Sequence, residues 1–343
     1  MATKVTIQDI ADSLGLSRTT VSKVLNHSPA VSDATRTMVL EKARELNYRV
    51  LPQSAPSPAP AEPEMNYFAL VMHAVPCGIH MGTAVIAALD QTLRQFGYSL
   101  ITCTISNEEY RDLTLPPILR SSSIKAIVCI ELFHPEYSRL LSSLGKPTVF
   151  IDACVGFDEM KLDANLLLMD SRNSVNRMLS TLIRNHKITS MGFIGDAGHC
   201  ISFRERYEAF LMTGTQFGVD TSWRILDADY NFADPTWLVT RLDKVGDFPR
   251  LIFCANDFLA SQLVYALESM GRQVPEDVMV CGFDGIFSID SILSRLTTIA
   301  APASQIGANA ATILLHQLSF PGKLHASTYL LTDVIFRDSA PEC

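Results

Sequence analysis

The chain has 343 residues, 48% apolar and 19% charged, which excludes a disordered or low-complexity chain and leaves room for two or three domains with a large buried core. Its formal charge of −8 is unevenly spread: residues 1–50 hold seven basic and five acidic side chains, so the remainder carries −10. An acidic body with a mildly basic tip favours specific contact over indiscriminate coating of nucleic acid.

Residues 5–26, VTIQDIADSLGLSRTTVSKVLN, predict two short helices joined by a turn. Ile7, Ile10, Ala11 and Leu14 fall at i, i+3, i+4 and i+7, one apolar stripe of helical period. Thr6 precedes it as an N-cap, Asp9 follows near the positive helix end, and Gly15 ends the helix in the left-handed region that glycine enters at little cost. Ser17 caps the second helix, in which Val21, Val24 and Leu25 form the inward face and Arg18, Thr19, Ser22 and Lys23 point away. Such a pair fits a helix-turn-helix whose second helix lies in the major groove. Arg18 and Lys23 can donate to guanine edges, Thr19 can donate or meet a thymine methyl, and the small hydroxyls of Thr20 and Ser22 let the backbone approach phosphates. The competing description is a solvated helix pair with ordinary polar surface.

Residues 31–48, VSDATRTMVLEKARELNY, predict a third helix with Ser32 as N-cap and Val39, Ala43 and Leu46 as the stripe that closes a small core. In this order T-I-x-D-I-A, G-L-S-x-x-T-V-S-K-V-L-N, V-S-x-x-T-R and E-L-N-Y resembles the DNA-binding headpiece of the lactose repressor family of bacterial transcription regulators. The resemblance implies that Arg18, Thr19 and Lys23 are base-reading positions on double-stranded operator DNA. It places Thr6, Ser17, Thr20, Ser22, Asn26, Ser32 and Thr35 where the family touches phosphates.

The headpiece, 1–49, gives way to a linker over 50–65 with proline at 52, 56, 58, 60 and 63, semi-extended and polyproline-like. Relatives usually carry a short helix here, P-N-x-x-A-R-x-L, that pairs across a dimer and wedges a Leu into the minor groove; this chain has no such pattern, and its prolines forbid a regular helix. Such a tether transmits a signal only through the separation or orientation of its roots, that is, through the effective concentration of the second headpiece. The expected coupling is therefore a ligand-dependent change in operator affinity below about 150-fold, the upper end of ordinary allostery. With no apolar wedge, the operator's central step should be little kinked. Gel phasing and amide exchange across residues 49–65 check this; strong protection of residues 50–55 with a sharp kink would show a hinge helix instead.

Beyond the linker, apolar runs at 66–72, 98–104, 125–130, 147–151, 190–195, 223–227, 250–254 and 278–283 predict strands. Amphipathic stretches at 82–96, 109–121, 136–144, 171–186, 203–217, 234–246, 257–270 and 303–318 predict helices. The alternation implies parallel sheets covered by helices, either a barrel or two doubly wound sheets. FGYSL, KAIVCIE, GKPTVFID, MGFIGD, FRERYEAF, PRLIFCANDFLA, VPEDVMVCGFDG, LTTIAAP and VIFRDS follow in the order of the same family's effector-binding core. The resemblance implies a periplasmic-binding-protein-like α/β core, 66–343, of two Rossmann-like subdomains. One comprises about 66–168 plus 299–326 and the other about 169–298 plus 327–340, with crossovers near 169–172, 298–303 and 324–328. A small molecule is then expected in the cleft outside the carboxyl ends of the strands.

Asp284 after VMVCGF, Asn256 after LIFCA and Arg206 in the helix after MGFIGDAG have ordinary readings as a cap, a turn former and a solvated helix residue. They match the positions at which the family holds its effector, and a carboxylate, an amide and a guanidinium suit a polyhydroxylated ligand such as a sugar. A nucleobase or another metabolite is the alternative. Tyr230 or Phe232 is the expected aromatic platform, and His73, with His80 in the same loop, is the nearest unusual group. Gly285 stands where a second acidic residue is usual, Ala301 where a Gln is common, and HAVPCGIHMG lacks the usual N-P-F/Y, so a common sugar does not follow.

The eight cysteines are scattered singly, without C-x-x-C or histidines at ligand spacing, and five of them (103, 129, 154, 254, 281) lie in or beside strand-like runs. Reduced thiols, no metal and no cofactor are expected. No G-x-S-x-G, phosphate-cradling Gly-rich loop with Lys, or paired His/Asp/Glu motif speaks for an enzyme. A transport receptor would need an export signal; the first residues lack one, and no stretch approaches the ~20 apolar residues that span a bilayer. The expectation is a cytoplasmic, ligand-controlled repressor that contacts no membrane and reads a palindromic operator as a homodimer.

Overall fold

The computed structural model describes residues 5–25, 31–46, 48, 66–73, 82–244, 247–286, 292–322 and 325–343. The linker expected at 50–65, Asn26 and His80 lie outside the described residues. The chain forms two compact units, Met1–Glu64 and Met65–Cys343.

In the first unit α1 (Ile7–Leu14), α2 (Arg18–Leu25) and α3 (Asp33–Glu45) enclose Ile10, Ala11, Val21, Val24, Leu25, Val39 and Ala43. Thr6 and Asp9 form a reciprocal capping box: the Thr6 hydroxyl accepts from the Asp9 amide and the Asp9 carboxylate accepts from the Thr6 amide at 2.7 Å. Gly15 closes α1 in the left-handed region at φ 64°. The expected stripe, turn and third helix are all present.

In the second unit the chain runs β1 (Tyr67–Met72), α4 (Gly82–Gln95), β2 (Ser99–Thr104), α5 (Asn107–Asp112), β3 (Ile124–Ile130), α6 (Pro135–Ser142), β4 (Thr148–Ile151) and β5 (Asn165–Met169). It continues through α7 (Ser171–His186), β6 (Ser190–Ile194), α8 (Ile201–Phe217), β7 (Asp220–Ile225), α9 (Pro235–Asp243), β8 (Leu251–Cys254), α10 (Asp257–Ser269) and β9 (Met279–Cys281). It ends with β10 (Thr298–Ala300), α11 (Ala303–Ser319), β11 (Ser327–Leu330) and β12 (Asp333–Ile335). One parallel sheet has the order β11-β5-β4-β3-β1-β2 and the other β7-β6-β8-β9. Parallel bridges from Cys281 to Thr297 and from Asp284 to Ala300 attach β10, which pairs antiparallel with β12. Two doubly wound sheets, not a barrel, are thus the solution. β3, β4, β5 and β8 are apolar almost throughout and buried because helices cover both sheet faces.

Three sequence expectations change. The helix expected at 109–121 breaks after Asp112, because Leu113 turns left-handed (φ 53°) and Pro116–Pro117 cannot continue a helix; only a 3-10 turn, Pro117–Arg120, follows. β5 (NLLLM) went unread, being a short wholly buried run that leads straight into the α7 cap Asp170 with no turn residues between. The third crossover lies later than 324–328: Ser327 to Leu330 pair with Leu166 to Met169, so the chain changes sheets at residues 331–332. That crossover is fastened to the first one. The Asp170 amide donates to the Leu330 carbonyl at 2.8 Å, the Thr332 hydroxyl to the Asp170 carbonyl at 3.0 Å, and the Ser174 and Thr332 hydroxyls pair.

α4 and α11 pack backbone to backbone because residue 307 is glycine: a Cβ there would collide with the Val85 carbonyl and come within 2.8 Å of the Leu89 amide. Gly307→Ala should therefore cost about 1–3 kcal/mol through overpacking. That is opposite in sign to the gain that a helix-interior Gly→Ala otherwise brings. Urea unfolding checks the sign.

Candidate functional site

On the headpiece, burying Val21, Val24 and Leu25 turns the opposite side of α2 outward, and Arg18, Thr19 and Lys23 are all exposed there. Hydroxyls cap the starts of the second and third helices. The Ser17 hydroxyl accepts from the Thr20 amide at 3.1 Å and pairs with the Thr20 hydroxyl at 2.8 Å. Ser32 and Thr35 repeat the arrangement, amide to hydroxyl at 3.4 Å and hydroxyl to hydroxyl at 2.9 Å. With Thr6 on α1, five of the seven expected phosphate-contacting side chains belong to helix starts, where backbone N–H groups are open to an anion. Ser22, half-buried, is a sixth on the described chain.

In the core, a cavity of about 150 Å³ opens at the carboxyl ends of the strands of both sheets, lined among others by Glu131, Asp152, Ser202, Arg206, Asn256 and Asp284. Arg206, Asn256 and Asp284 are thus brought together as expected. Arg206 on α8 is 2% exposed, and one guanidinium nitrogen donates to the Ala255 carbonyl at 2.7 Å while another lies 3.6 Å from the Asp284 carboxylate. The guanidinium plane sits over the Phe283 ring at 3.6 Å. Asn256 caps α10, its side-chain oxygen accepting from the Leu259 amide at 2.9 Å. Behind them Asp257 is fully buried, taking hydrogen bonds from the Thr298 hydroxyl (2.6 Å) and the Ile286 amide (2.8 Å); burial and the neighbouring Asp284 push its carboxyl well above the ordinary range.

The aromatic expectation fails. Phe232 is fully buried against Trp237, Tyr230 is 78% exposed, and neither lines the cavity; Phe133 and Phe203 do. His73 also lies off the cavity lining, with its Nε2 2.9 Å from the Asn107 side-chain oxygen and its ring stacked on Tyr110.

Sequence reasoning missed Asp152 and Glu131, which follow β4 and β3 as Asp284 follows β9. Glu131, Asp152 and Asp284 all carry positive φ, 52°, 59° and 117°. Non-glycine residues hold such angles at a cost of about 1–3 kcal/mol each, and they concentrate at functional sites. A signal was available: an acidic residue directly after each apolar run, in CIE, FID and GFD. Asp152 also spans the halves, one carboxylate oxygen accepting from its neighbour Ala153 (2.8 Å) and from Ser202 at the start of α8 (3.3 Å). The departure at Gly285 has a steric cause: its φ is 71° and a Cβ would lie 2.6 Å from the Ala300 Cα, so no acidic side chain fits.

A second bridge between the halves lies by the crossovers. The Tyr329 hydroxyl on β11 donates to Glu205 on α8 at 3.1 Å, and Arg172 at the start of α7 pairs with Glu205 (3.3 Å) and Glu208 (2.7 Å). Glu205 is 4% exposed, and burial raises its carboxyl above the usual range against the opposing pull of Arg172. A raised carboxyl holds its proton more tightly folded than unfolded, so its stabilising contribution is present at low pH and fades as pH rises through the raised value. Glu205→Gln, which keeps an acceptor for Tyr329, should remove this component. Urea unfolding between about pH 4 and pH 8 should give a shallower loss of stability with rising pH in the variant than in the wild type.

Among the described residues no helix is long and apolar enough to cross a membrane, and no three His, Cys, Asp or Glu side chains are grouped to hold a metal. Residues 6–50 match the family model for bacterial regulatory proteins of the lacI family, and residues 181–340 match a periplasmic binding protein-like domain. The HTH-type transcriptional repressor PurR of Mannheimia succiniciproducens is 25% identical over 97% of this chain and 98% of its own length. That of Haemophilus influenzae (strain PittEE) is 27% identical over 92% and 91%. Among solved structures, the lac repressor dimer bound to operator and the anti-inducer ONPF superposes with a TM-score of 0.65 at 19% identity, covering 99% of this chain and 100% of that one. The transcriptional regulator CelR–cellobiose complex gives 0.63 at 21% identity, covering 98% and 99%. At these identities the structural likeness is one of fold. The chain belongs to the lacI family of bacterial regulatory proteins: it is a DNA-binding transcriptional regulator, not an enzyme.

Proposed function

We propose that the chain represses transcription as a homodimer on a palindromic operator, and that a small polar ligand in the core cavity sets its affinity for that operator. The observation that carries the reading is the outward face of α2, where Arg18, Thr19 and Lys23 stand exposed on a helix whose other side is buried. Arg18 and Lys23 donate to guanine edges and Thr19 completes base choice, while Thr6, Ser17, Thr20, Ser22, Ser32 and Thr35 hold the backbone phosphates. Asn26 joins them by resemblance alone. One such headpiece spans only a few base pairs, so useful affinity calls for two copies related by a two-fold axis. The solved lac repressor dimer on its operator supports that arrangement.

Arg206, Asn256 and Asp284 hold the ligand, with Asp152 joining the two subdomains around it. Closure on a ligand would alter the separation of the tether roots and so the placement of the second headpiece. The test is selection of bound sequences from a random DNA pool, followed by sedimentation of the selected complex. Recovery of a two-fold symmetric motif with two chains per duplex is the expected result. An asymmetric motif bound by one chain would refute the dimeric operator.

A further inference from the structure

The start of α8 is completed by the opposite subdomain. Cys200, at the N-cap position, supplies no capping hydrogen bond, so the first amides of the helix are taken up across the gap. Ile201 donates to the Ala153 carbonyl at 2.9 Å and Ser202 to the Asp152 carboxylate at 3.3 Å. One turn on, α8 is gripped a second time. The Tyr329 hydroxyl on β11, an edge strand of the six-stranded sheet, donates to the Glu205 carboxylate at 3.1 Å. On the same stretch Ser202 and Arg206 line the cavity, and the Ser202 hydroxyl and the Arg206 Nε are buried with no hydrogen-bond partner. α8 therefore carries ligand-facing groups directly beside a contact to the other subdomain, while Glu205, Tyr329 and Arg172 do not line the cavity.

The second contact is balanced between opposing effects. Glu205 is 4% exposed; its Oε1 accepts from Tyr329 and from Arg172, at 3.3 Å, but its Oε2 is buried with no partner. Hydrogen bonds on one oxygen are set against the desolvation of the other, which leaves the contact weak enough to open. Tyr329 is 49% exposed, and its hydroxyl pKa is pushed up to about 12 by desolvation and by Glu205, so it remains a donor across the working pH range.

We propose that Tyr329 and Glu205 form a catch between the two subdomains, which sets the balance between an open and a closed core from outside the ligand cavity. A ligand enclosed by both subdomains inherits that balance, since only the closed fraction presents a complete cavity. This deepens the regulator reading and rests on its assignment of the cavity as the ligand site.

The catch has a defined response to pH. Around Glu205 stand Arg172 of α7, Asp152 after β4, Tyr329 of β11 with Asp158 beyond it, and Glu208 on its own helix, joined through Arg172. Burial outweighs the pull of Arg172 and raises the Glu205 carboxyl, and opening returns it to water, so closing takes up a proton. Closure is thus favoured below the raised value and weakens as pH rises through it.

Residue-resolved amide exchange on the full-length protein tests this without a ligand. The Ile201 and Ser202 amides have no acceptor within α8, so their protection depends on the subdomains standing together. Tyr329→Phe keeps the ring and removes the hydroxyl; protection at both amides should fall about tenfold at neutral pH, the lower end for a hydrogen bond to a charged group. The Ile127 and Ala255 amides, each bonded within one subdomain, should be unchanged. Glu205→Gln keeps an acceptor for Tyr329 without the charge. Its protection at about pH 8 should equal or exceed that of the wild type, and the decline of wild-type protection between about pH 4 and pH 8, corrected for intrinsic exchange, should vanish.

Unchanged protection at Ile201 and Ser202 in Tyr329→Phe, an equal fall at Ile127 and Ala255, or a pH decline that survives in Glu205→Gln would each overturn the catch. Operator selection by the same wild-type preparation separates the two readings. With sequence-specific binding intact such a failure overturns the catch alone, whereas loss of sequence-specific binding overturns the regulator reading.

Discussion

Arg206→Ala should abolish ligand control of operator binding while leaving the unliganded operator affinity within about threefold, because the residue belongs to the core and not to the headpiece. The side chain is 2% exposed and closes three interactions at once: the Ala255 carbonyl, the Asp284 carboxylate and the Phe283 ring. Truncation leaves Asp284, whose side chain is 17% exposed, without its guanidinium and next to buried Asp257. Breaking a buried pair from one side costs about 3–5 kcal/mol of stability, and losing a charged partner in a closed pocket removes about 2–5 kcal/mol of ligand affinity. Asp284→Ala should abolish the response as well. The double variant Arg206→Met/Asp284→Asn should recover much of the lost stability and none of the ligand affinity, since the uncompensated charge is gone but so are the ligand's partners. Calorimetry and urea unfolding separate the two effects. Normal ligand affinity in either single variant would remove Arg206 and Asp284 from the site.

What could be read beforehand follows from how local each signal is. The headpiece was legible in full because caps, stripe and glycine turn all act within a few residues: Thr6 with Asp9, Ile10 with Ala11, Gly15. The alternating strands and helices of the core were legible for the same reason, except at β5, β10, β11 and β12, short runs of three to five residues that lie at or beside the crossovers between the sheets. The site was legible only in part. Arg206, Asn256 and Asp284 carried a family resemblance, whereas Tyr230 and Phe232 were selected by residue type along a segment whose burial the sequence does not display. Phe232 had to fill the core beside Trp237 and Phe203 reached the cavity instead, a choice made by tertiary packing. Asp152 works across two subdomains, 50 residues from its Ser202 partner, and no local pattern announces such a contact.

Arg18→Ala and Lys23→Ala should each cost about 1–3 kcal/mol at the specific operator, roughly 5- to 150-fold, and relax base choice at the positions they contact. Both side chains are exposed on α2 and neither supports the headpiece core, so folding should be unaffected and circular dichroism unchanged. Thr35→Ala is the control of opposite kind: its hydroxyl pairs with Ser32 at the start of α3, so its loss should weaken binding to all sequences alike. The decisive measurement is the base-preference profile of the wild type, Arg18→Ala and Lys23→Ala, each selected against one random DNA pool at one salt concentration. A two-fold symmetric preference in the wild type, flattened in each variant at a different symmetric pair of positions, is the predicted result. Profiles unchanged in both variants would contradict the assignment of α2 as the helix that reads DNA.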